Sequence, residues 1–195
     1  MTNDHRLVFA TANPNKVIEV EKKLGGAISL RGLKDINCLE EIPETQPTIE
    51  GNAIQKARYV AEKYGVDCFA DDTGLEVEAL NNAPGVLSAR YAGDQKNPSD
   101  NIDLLLKNLQ GKPNRKARFR TVICLIRGNE EVLFEGIVEG HIIDERRGGE
   151  GFGYDPVFVP ENETRTFAEM TLDEKNVISH RGRAIKKLRE FLEKG

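Results

Sequence analysis

Residues 70–74 read Ala70-Asp71-Asp72-Thr73-Gly74, and they continue an apolar run over 66–70 that is interrupted only at Asp67. The pattern predicts a buried strand that ends at the two carboxylates and passes into a loop. Because successive side chains of an extended backbone point to opposite faces, only one of Asp71 and Asp72 is expected to approach a ligand directly. Such a pair suits a hard metal ion with a water beside it. Asp, Thr and Gly also favour turns, and for this stretch in isolation a turn is the favoured interpretation.

A strand, a polar loop and a helix are predicted at the start of the chain. Residues 6–10 form the apolar strand, residues 11–16 form the loop, and the helix that follows ends at Gly25. The first-turn amides and the positive end of such a helix favour a bound phosphate, to which Lys16 would add a cation. An N-cap followed by a surface lysine explains the same residues equally well.

A second helix is predicted over 48–64, where Asn52 and Lys56 lie one turn apart beside the apolar stripe. Lys56 either covers the stripe with its aliphatic stem or leans toward the end of the first strand. The remaining pattern predicts strands near 28–37, 75–80 and 157–159, helices over 98–109 and after Gly182, a long hairpin over 117–126 and 132–138, and a capping box from Thr171 to Glu174.

Residues 148–156 carry four glycines and the two aromatic residues Phe152 and Tyr154. The segment is not a phosphate P-loop, because the lysine and the hydroxyl that end that motif are missing. Glycines around Phe152 favour a backbone that lets a planar ligand approach the aromatic ring. An irregular loop held by buried rings is an alternative of equal weight.

Length and composition indicate a single domain, 1–195. Hydrophobic residues make up 38% and charged residues 31%, and no apolar run approaches the roughly 20 residues that span a membrane. Residues 1–6 are too polar to begin a signal peptide, so we expect a cytoplasmic protein without a membrane partner. The net charge of −4 disfavours a nucleic-acid partner. The widely spaced Cys38, Cys68 and Cys124 indicate buried thiols rather than disulfides or a zinc site.

Polar side chains gather at the predicted strand ends and helix starts. Several cations and a pair of carboxylates do not suit an apolar substrate, but they suit a polyphosphate bound with Mg²⁺. A ring such as Phe152 would extend that ligand to a nucleotide. The residues concerned are Asn13, Lys16, Lys56, Asp71, Asp72, Lys175, His180 and Arg181.

Five motifs follow one another along nearly the whole chain, from residue 6 to about residue 193. Together, in this order, they resemble the inosine/xanthosine triphosphate pyrophosphatases, the house-cleaning nucleotidases of the Ham1 family. The motifs are Thr11-Ala12-Asn13-x-x-Lys16, Ala70-Asp71-Asp72-Thr73-Gly74-Leu75, Ala83-Pro84-Gly85-x-x-Ser88-Ala89-Arg90-Tyr91, Gly151-Phe152-Gly153-Tyr154-Asp155-Pro156 and Ser179-His180-Arg181-Gly182.

The resemblance implies a fold, a reaction and an assembly. The implied fold is α/β, with a long mixed central β-sheet flanked by helices and a nucleotide-binding crevice between two lobes. The implied reaction is hydrolysis of the purine nucleoside triphosphates dITP, ITP and XTP to the monophosphate and pyrophosphate, which keeps them out of DNA and RNA. Mg²⁺ is the implied cofactor, and a homodimer is the implied assembly.

The resemblance also implies roles for particular residues. Asp72 resembles the acid that binds magnesium and accepts a proton, with Asp71 and Glu44 as supporting metal ligands. Thr73 stands where many members of the family have serine, and the hydroxyl is retained. Substrate-binding positions are Thr11, Ala12, Asn13, Pro14, Asn15, Lys16 and Lys56 for the phosphates, Thr73 beside the acid pair, Phe152, Gly153, Tyr154 and Asp155 for the base, and Lys175, His180 and Arg181 for base and phosphate.

Three other functions are compatible with the same residues. The first is a Mg²⁺-dependent pyrophosphatase that prefers another damaged or modified base. The second is a nucleotide-binding regulatory module without turnover, against which the retention of both Asp71 and Asp72 argues. The third is an interaction protein whose polar clusters lie only on its surface.

Overall fold

Strand pairing in the computed structural model, which describes residues 6–26 and 28–194, builds one sheet of seven strands in the order β2-β1-β3-β5-β6-β7, with β4 paired to β3. The strands are β1 Arg6–Phe9, β2 Ser29–Arg31, β3 Cys68–Val77, β4 Pro84–Gly85, β5 Lys116–Arg127, β6 Glu130–Ile142 and β7 Phe158–Pro160. β1 pairs in parallel with β2 and β3, whereas the β3–β4 and β6–β7 pairs are antiparallel. The sheet is therefore mixed, as predicted.

The α-helices of the described residues are α1 Pro14–Leu24, α2 Ile49–Tyr64, α3 Pro98–Asn108, α4 Leu172–Ile178 and α5 His180–Lys194. Local chemistry sets their ends. Thr48 caps α2 through its hydroxyl, which accepts a hydrogen bond from Gly51 N, and Gly25 ends α1 in the left-handed conformation at φ +63°. The predicted capping box is present at the start of α4, where Thr171 and Glu174 bond reciprocally. No helix in the described ranges is both long and apolar enough to cross a membrane.

The described chain divides into two compact units, each assembled from separate stretches of sequence. The first unit consists of described residues within 6–72, 121–136 and 182–194, and the second of residues 73–120 and 137–181. Strands β3, β5 and β6 contribute residues to both units. Neither unit is a continuous piece of the chain.

Each unit has its own hydrophobic core. In the first, Phe9 of β1 stacks on Phe69 of β3 at 4.6 Å between ring centroids, and the apolar stripes of α1 and α5 pack against the sheet. In the second, Phe119 of β5 meets Phe158 edge to face at 4.7 Å, and the buried face of α3 joins the same cluster. These rings bury large apolar areas, which is the main driving force for forming each unit.

The predicted loop at Asp71 and Asp72 is wrong. β3 continues through both residues to Val77, because its neighbours supply pairing on either side of them: β1 pairs at Cys68 and Phe69, and β4 pairs further along at Leu75. The turn-forming residues therefore lie in a strand. The strand predicted over 75–80 ends at Val77 and is followed by a 3₁₀ turn, Glu78–Leu80.

Three further expectations have clear outcomes. The predicted hairpin is confirmed by β5 and β6, and all three cysteines are buried thiols, as predicted. Burial raises the pKa of Cys68 and of Cys124 to about 12. His180 and Arg181 lie in the first turn of α5 rather than before it.

The segment 1–6, interpreted as too polar for a signal peptide, lies almost entirely outside the described residues.

A close approach of backbone to backbone in the second unit makes Gly140 of β6 sensitive to substitution. A Cβ at Gly140 would overlap Val159 O of β7 and lie 2.6 Å from Phe158 Cζ. We expect Gly140→Ala to lower the free energy of unfolding by about 1–3 kcal/mol, the usual cost of overpacking, as measured by urea denaturation.

Gly149→Ala is the matched control for this prediction. A Cβ at Gly149 would meet no atom within 4 Å, so its unfolding midpoint should stay close to that of the unaltered protein. Equal midpoints for the two variants would contradict the tight contact between β6 and β7.

Candidate active site

The loop between β1 and α1 places Lys16 in the first unit. Asn13 caps α1 by accepting a hydrogen bond from Asn15 N at 3.0 Å, and the hydroxyl of Thr11 accepts one from Asn13 N at 3.2 Å. These bonds fix the first turn of α1, from which Lys16 Nζ donates to Asp71 Oδ1 at 2.9 Å. Asp71 is buried, so this pair is shielded from water. Pro14 at the first helical position is preorganised for the helix start.

Lys56 of α2 is the centre of the polar cluster in the first unit. Its ammonium lies 2.5 Å from Glu44 Oε1, 2.8 Å from Asp71 O and 3.5 Å from Asp72 Oδ1. Burial acts to lower the pKa of Lys56, but the negative charges of Asp72, Glu44 and Asp71 outweigh it and raise the pKa. Lys56 therefore stays protonated at neutral pH.

The carboxylate of Asp72 is buried but only loosely paired. Its Oδ1 is the oxygen that lies 3.5 Å from Lys56 Nζ, and its Oδ2 lies 3.4 Å from Asn52 Nδ2. Burial raises the pKa of Asp72, although Lys56 and Lys16 act in the opposite direction. A carboxylate whose charge is incompletely compensated is suited to binding a cation or accepting a proton.

The acids of this cluster can supply some, but not all, of the ligands of a magnesium ion. No group of three or more His, Cys, Asp or Glu side chains that could hold a metal occurs within 6–26 and 28–194. Asp71 is turned to Lys16, whereas Asp72 and Glu44 converge on Lys56. Mg²⁺ prefers carboxylate oxygens and is often bound by one or two carboxylates together with substrate phosphates. The donor set therefore fits a metal that arrives with a phosphate ligand.

In the second unit, Asp155 organises the glycine-rich loop from within. Its Oδ2 accepts hydrogen bonds from Phe152 N at 2.9 Å and from Lys175 Nζ at 2.7 Å, and the side chains of Asp155 and Lys175 are both buried. Gly151, at φ +73°, leaves room for the Asp155 carboxylate, which a Cβ would overlap. Asp155 thus links the loop to α4 and neutralises a buried cation.

Two cations lie over the ring of Phe152. Lys175 Nζ is 4.8 Å from the ring centroid, and Arg181 Cζ is 5.6 Å from it. Arg181 is fully buried and donates from Nη2 to Thr73 Oγ1 at 3.1 Å, so the hydroxyl of Thr73 orients it. The second unit therefore presents an aromatic ring beside positively charged donors.

His180 and Tyr154 are packed into the second unit. The ring of His180 stacks on Phe119 at 4.6 Å, and Tyr154 joins the hydrophobic core. The Tyr154 hydroxyl donates to Ser88 O at 2.7 Å, and burial raises the pKa of Tyr154. Tyr154 therefore anchors the glycine-rich loop to the 3₁₀ turn Ser88–Arg90 through its hydroxyl.

The structure gives contacts to two residues, Asn52 and Ser88, to which the sequence assigns no role in the site. Asn52 was noticed only for its spacing from Lys56, yet its amide lies beside Asp72 in a buried position. Ser88 accepts from Leu75 N at 2.8 Å and donates to Gly85 O at 2.6 Å, which fixes the turn that receives Tyr154. An amide one turn before a lysine, beside the apolar stripe of a predicted helix, is a signal that sequence could have supplied for Asn52, whereas nothing in the sequence pattern singles out this role for Ser88.

Comparisons with known proteins agree with this architecture. A protein from Coxiella burnetii described as a HAM1 protein superposes with a TM-score of 0.90 at 38% identity, over 98% of this chain and all of that one. A dITP/XTP pyrophosphatase from Mycobacterium abscessus, also described as a nucleoside-triphosphatase, gives a TM-score of 0.77 at 43% identity, over 94% of this chain and 98% of its own.

Sequence relatives cover nearly the whole chain. A dITP/XTP pyrophosphatase from Flavobacterium psychrophilum is 56% identical over 186 residues, 95% of this chain and 98% of its own. A protein of the same name from Bacillus subtilis is 47% identical over 190 residues, 95% of this chain and 96% of its own. The model of the Ham1 family matches residues 7–191. With this match and these identities, the chain belongs to the Ham1 family.

Proposed function

We propose that the protein hydrolyses the non-canonical purine nucleoside triphosphates dITP, ITP and XTP to the monophosphate and pyrophosphate. The observation that carries the proposal is the cluster around Lys56, in which a protonated lysine lies among Glu44, Asp71 and Asp72. Relatives of this chain named dITP/XTP pyrophosphatase support the choice of substrate. Removal of these triphosphates keeps them out of DNA and RNA.

Lys16 and Lys56 are assigned to the phosphates. Both ammonium groups now lie against carboxylates, and a bound triphosphate would offer them phosphate oxygens. Two cations and the amino end of α1 would then offset the negative charge that develops on pyrophosphate as it leaves. We propose that Asp72 and Glu44, with Asp71 in support, hold Mg²⁺, which would supply charge neutralisation and activation of water when bound.

Asp72 is assigned as the proton acceptor. A water attacks the α-phosphorus in line, its proton passes to the Asp72 carboxylate, and the bond from the α-phosphorus to the bridging oxygen of the β-phosphate breaks. General-base assistance of this kind is worth about 10²–10⁴ in rate. The raised pKa of Asp72, caused by burial, makes it a stronger base than an exposed carboxylate.

The purine is assigned to Phe152 and the neighbouring donors. The ring of Phe152 offers a stacking surface for the base. The proposed hydrogen-bond donors to the base are Lys175, His180, Arg181 and the loop amides. Hypoxanthine and xanthine carry a 6-oxo acceptor where adenine has a 6-amino donor, so these donors would accept the first two and meet a donor on adenine. Unpaired polar groups in a closed site can discriminate by about 10⁴.

Other features of the proposal rest on the sequence alone: the assembly rests on the family resemblance, whereas the location and the excluded partners rest on composition, net charge and the polar residues 1–6. Homodimeric assembly, a cytoplasmic location and the absence of nucleic-acid and membrane partners stay predictions. We also propose that both units form a single functional domain, because each is assembled from separate stretches and three strands contribute to both.

The substrate assignment is tested by pyrophosphate release from XTP, dITP, dATP and dGTP, with and without Mg²⁺. We expect rapid release from XTP and dITP only, and only with the metal. Equal rates on all four triphosphates would support pyrophosphatase activity but contradict specificity for non-canonical purines. Binding without release would favour the regulatory module.

Asp72→Asn is expected to lower kcat by about 10²–10⁴-fold, because the variant cannot accept the proton. Asp103→Asn is the control, since Asp103 is an exposed partner of Arg146 and should retain full activity. Equal losses in the two variants would exclude a specific role for Asp72.

The same variant should be more stable than the unaltered protein at pH 8. Because burial raises the pKa of Asp72 in the folded state, the ionised carboxylate opposes folding at neutral pH. The gain in Tm should shrink as pH falls through the folded-state pKa, and it should vanish below the unfolded-state pKa, where the carboxyl is protonated in both states. A gain that grows at low pH would contradict this sign.

Phe152→Leu is expected to raise KM for XTP by about 10- to 100-fold, the usual value of stacking a base on an aromatic ring. Phe152→Tyr keeps the ring and should keep KM near that of the unaltered protein. Steady-state kinetics of the two variants provide the measurement. A Leu variant with unchanged KM would remove Phe152 from the base-binding set.

A further inference from the structure

Residues 44–46, here named the strap, lie outside regular secondary structure and are bound to α2 at three consecutive positions. Glu44 pairs with Lys56 at 2.5 Å. Thr45 and Gln55 exchange two hydrogen bonds, from Thr45 N to Gln55 Oε1 and from Gln55 Nε2 to Thr45 Oγ1, both at 2.9 Å. The next bond, from Gln46 N to Asn52 Oδ1, is also 2.9 Å long. Side chains of α2 therefore set the register of the strap.

Asn52, like Lys56, connects the strap to Asp72, but it does so through a neutral amide. Its oxygen accepts from Gln46 N, and its nitrogen points to Asp72 Oδ2 at 3.4 Å. Asn52 is itself 2% exposed, so solvent does not compete for either partner. A planar amide that is fixed by a short bond at one end has a determined direction at the other.

The Asn52 amide orients the Asp72 carboxylate without neutralising much of its negative charge. A neutral amide at 3.4 Å faces one carboxylate oxygen, and the Lys56 ammonium at 3.5 Å faces the other. Both contacts are longer than the 2.7–3.2 Å of a typical N–H···O bond. They restrict rotation of the Asp72 side chain while leaving its oxygens basic. A short ion pair in place of these contacts would have fixed the carboxylate equally well but reduced its basicity.

We propose that Asn52 is a positioning residue for the hydrolytic reaction, which orients the Asp72 carboxylate and ties it to the strap that carries Glu44. This inference rests on the proposed function of Asp72. Asn52 touches Asp72 and not the substrate, so its effect belongs in kcat rather than in KM. A merely structural Asn52 would act only through the strap, and any loss of strap bonds would then have the same effect.

The coupling itself is tested without activity, by a double-mutant cycle in thermal unfolding. The variants are Asn52→Ala, Asp72→Ala and the double substitution. We expect the double variant to melt about 2 °C or more above the value obtained by adding the two single shifts, because the second substitution removes a contact that the first has already broken. Additive shifts overturn the proposal.

The catalytic consequence is tested by comparing Asn52→Asp with Gln55→Met. Asn52→Asp keeps the acceptor for Gln46 N but replaces the donor that faces Asp72, whereas Gln55→Met removes both bonds to Thr45 and leaves Asp72 untouched. At saturating XTP and Mg²⁺ we expect kcat of Asn52→Asp to fall by about 10- to 100-fold, with little change in KM. Gln55→Met should stay within about threefold of the unaltered protein.

The outcomes separate the inference from the proposed function. If the unaltered protein releases no pyrophosphate from XTP, the proposed function fails, while the unfolding cycle still decides whether Asn52 and Asp72 are coupled. If the unaltered protein is active and Asn52→Asp keeps its kcat, or if Gln55→Met loses as much, Asn52 acts only on the strap and the positioning role is overturned.

Discussion

A lysine ammonium buried among three acidic residues is the constraint on which the first unit depends. Desolvating Lys56 costs several kcal/mol, and the attraction of Glu44, Asp71 and Asp72 for its ammonium offsets that cost, although the burial of Asp72 carries a larger cost of its own. The compensation requires α2, β3 and the strap to meet at one ammonium, since each supplies the lysine or an acid. The ion pairs of Lys56 that hold these elements together in the unliganded protein are thus the same ion pairs that a triphosphate with its cation would rearrange.

Local chemistry explains why much of the fold was predictable. Thr48 and Gly25 delimit their helices through contacts within a few residues, and the apolar stripe of α2 follows from helical periodicity alone. The path of β3 through Asp71 and Asp72 was not predictable in this way. It depends on pairing with β1, sixty residues earlier, and with β4, so that hydrogen bonds to other strands override the turn preference of the local residues.

The sequence predicted which residues belong to the candidate site better than it predicted which of them would contact one another. The motifs selected Lys16 and Asp72, and the helical pattern over 48–64 selected Lys56; the fold brings all three together in the first unit. Sequence could not reveal that Asp155 would face inward and accept a hydrogen bond from Lys175, or that the Tyr154 hydroxyl would donate one to Ser88 O. Those contacts depend on the path of a glycine-rich loop, whose conformation is set by packing rather than by periodicity.

The three buried thiols give the protein an internal reporter. With a pKa raised to about 12, Cys68 and Cys124 have a thiolate fraction of only about 10⁻⁵ at pH 7, and thiol reagents react with the thiolate. Cys68 lies on β3, the strand that carries the acid pair, and its Sγ lies 3.2 Å from Ala57 O of α2. Alkylation of this thiol therefore requires that β3 and α2 separate, and its rate measures how often that part of the sheet opens.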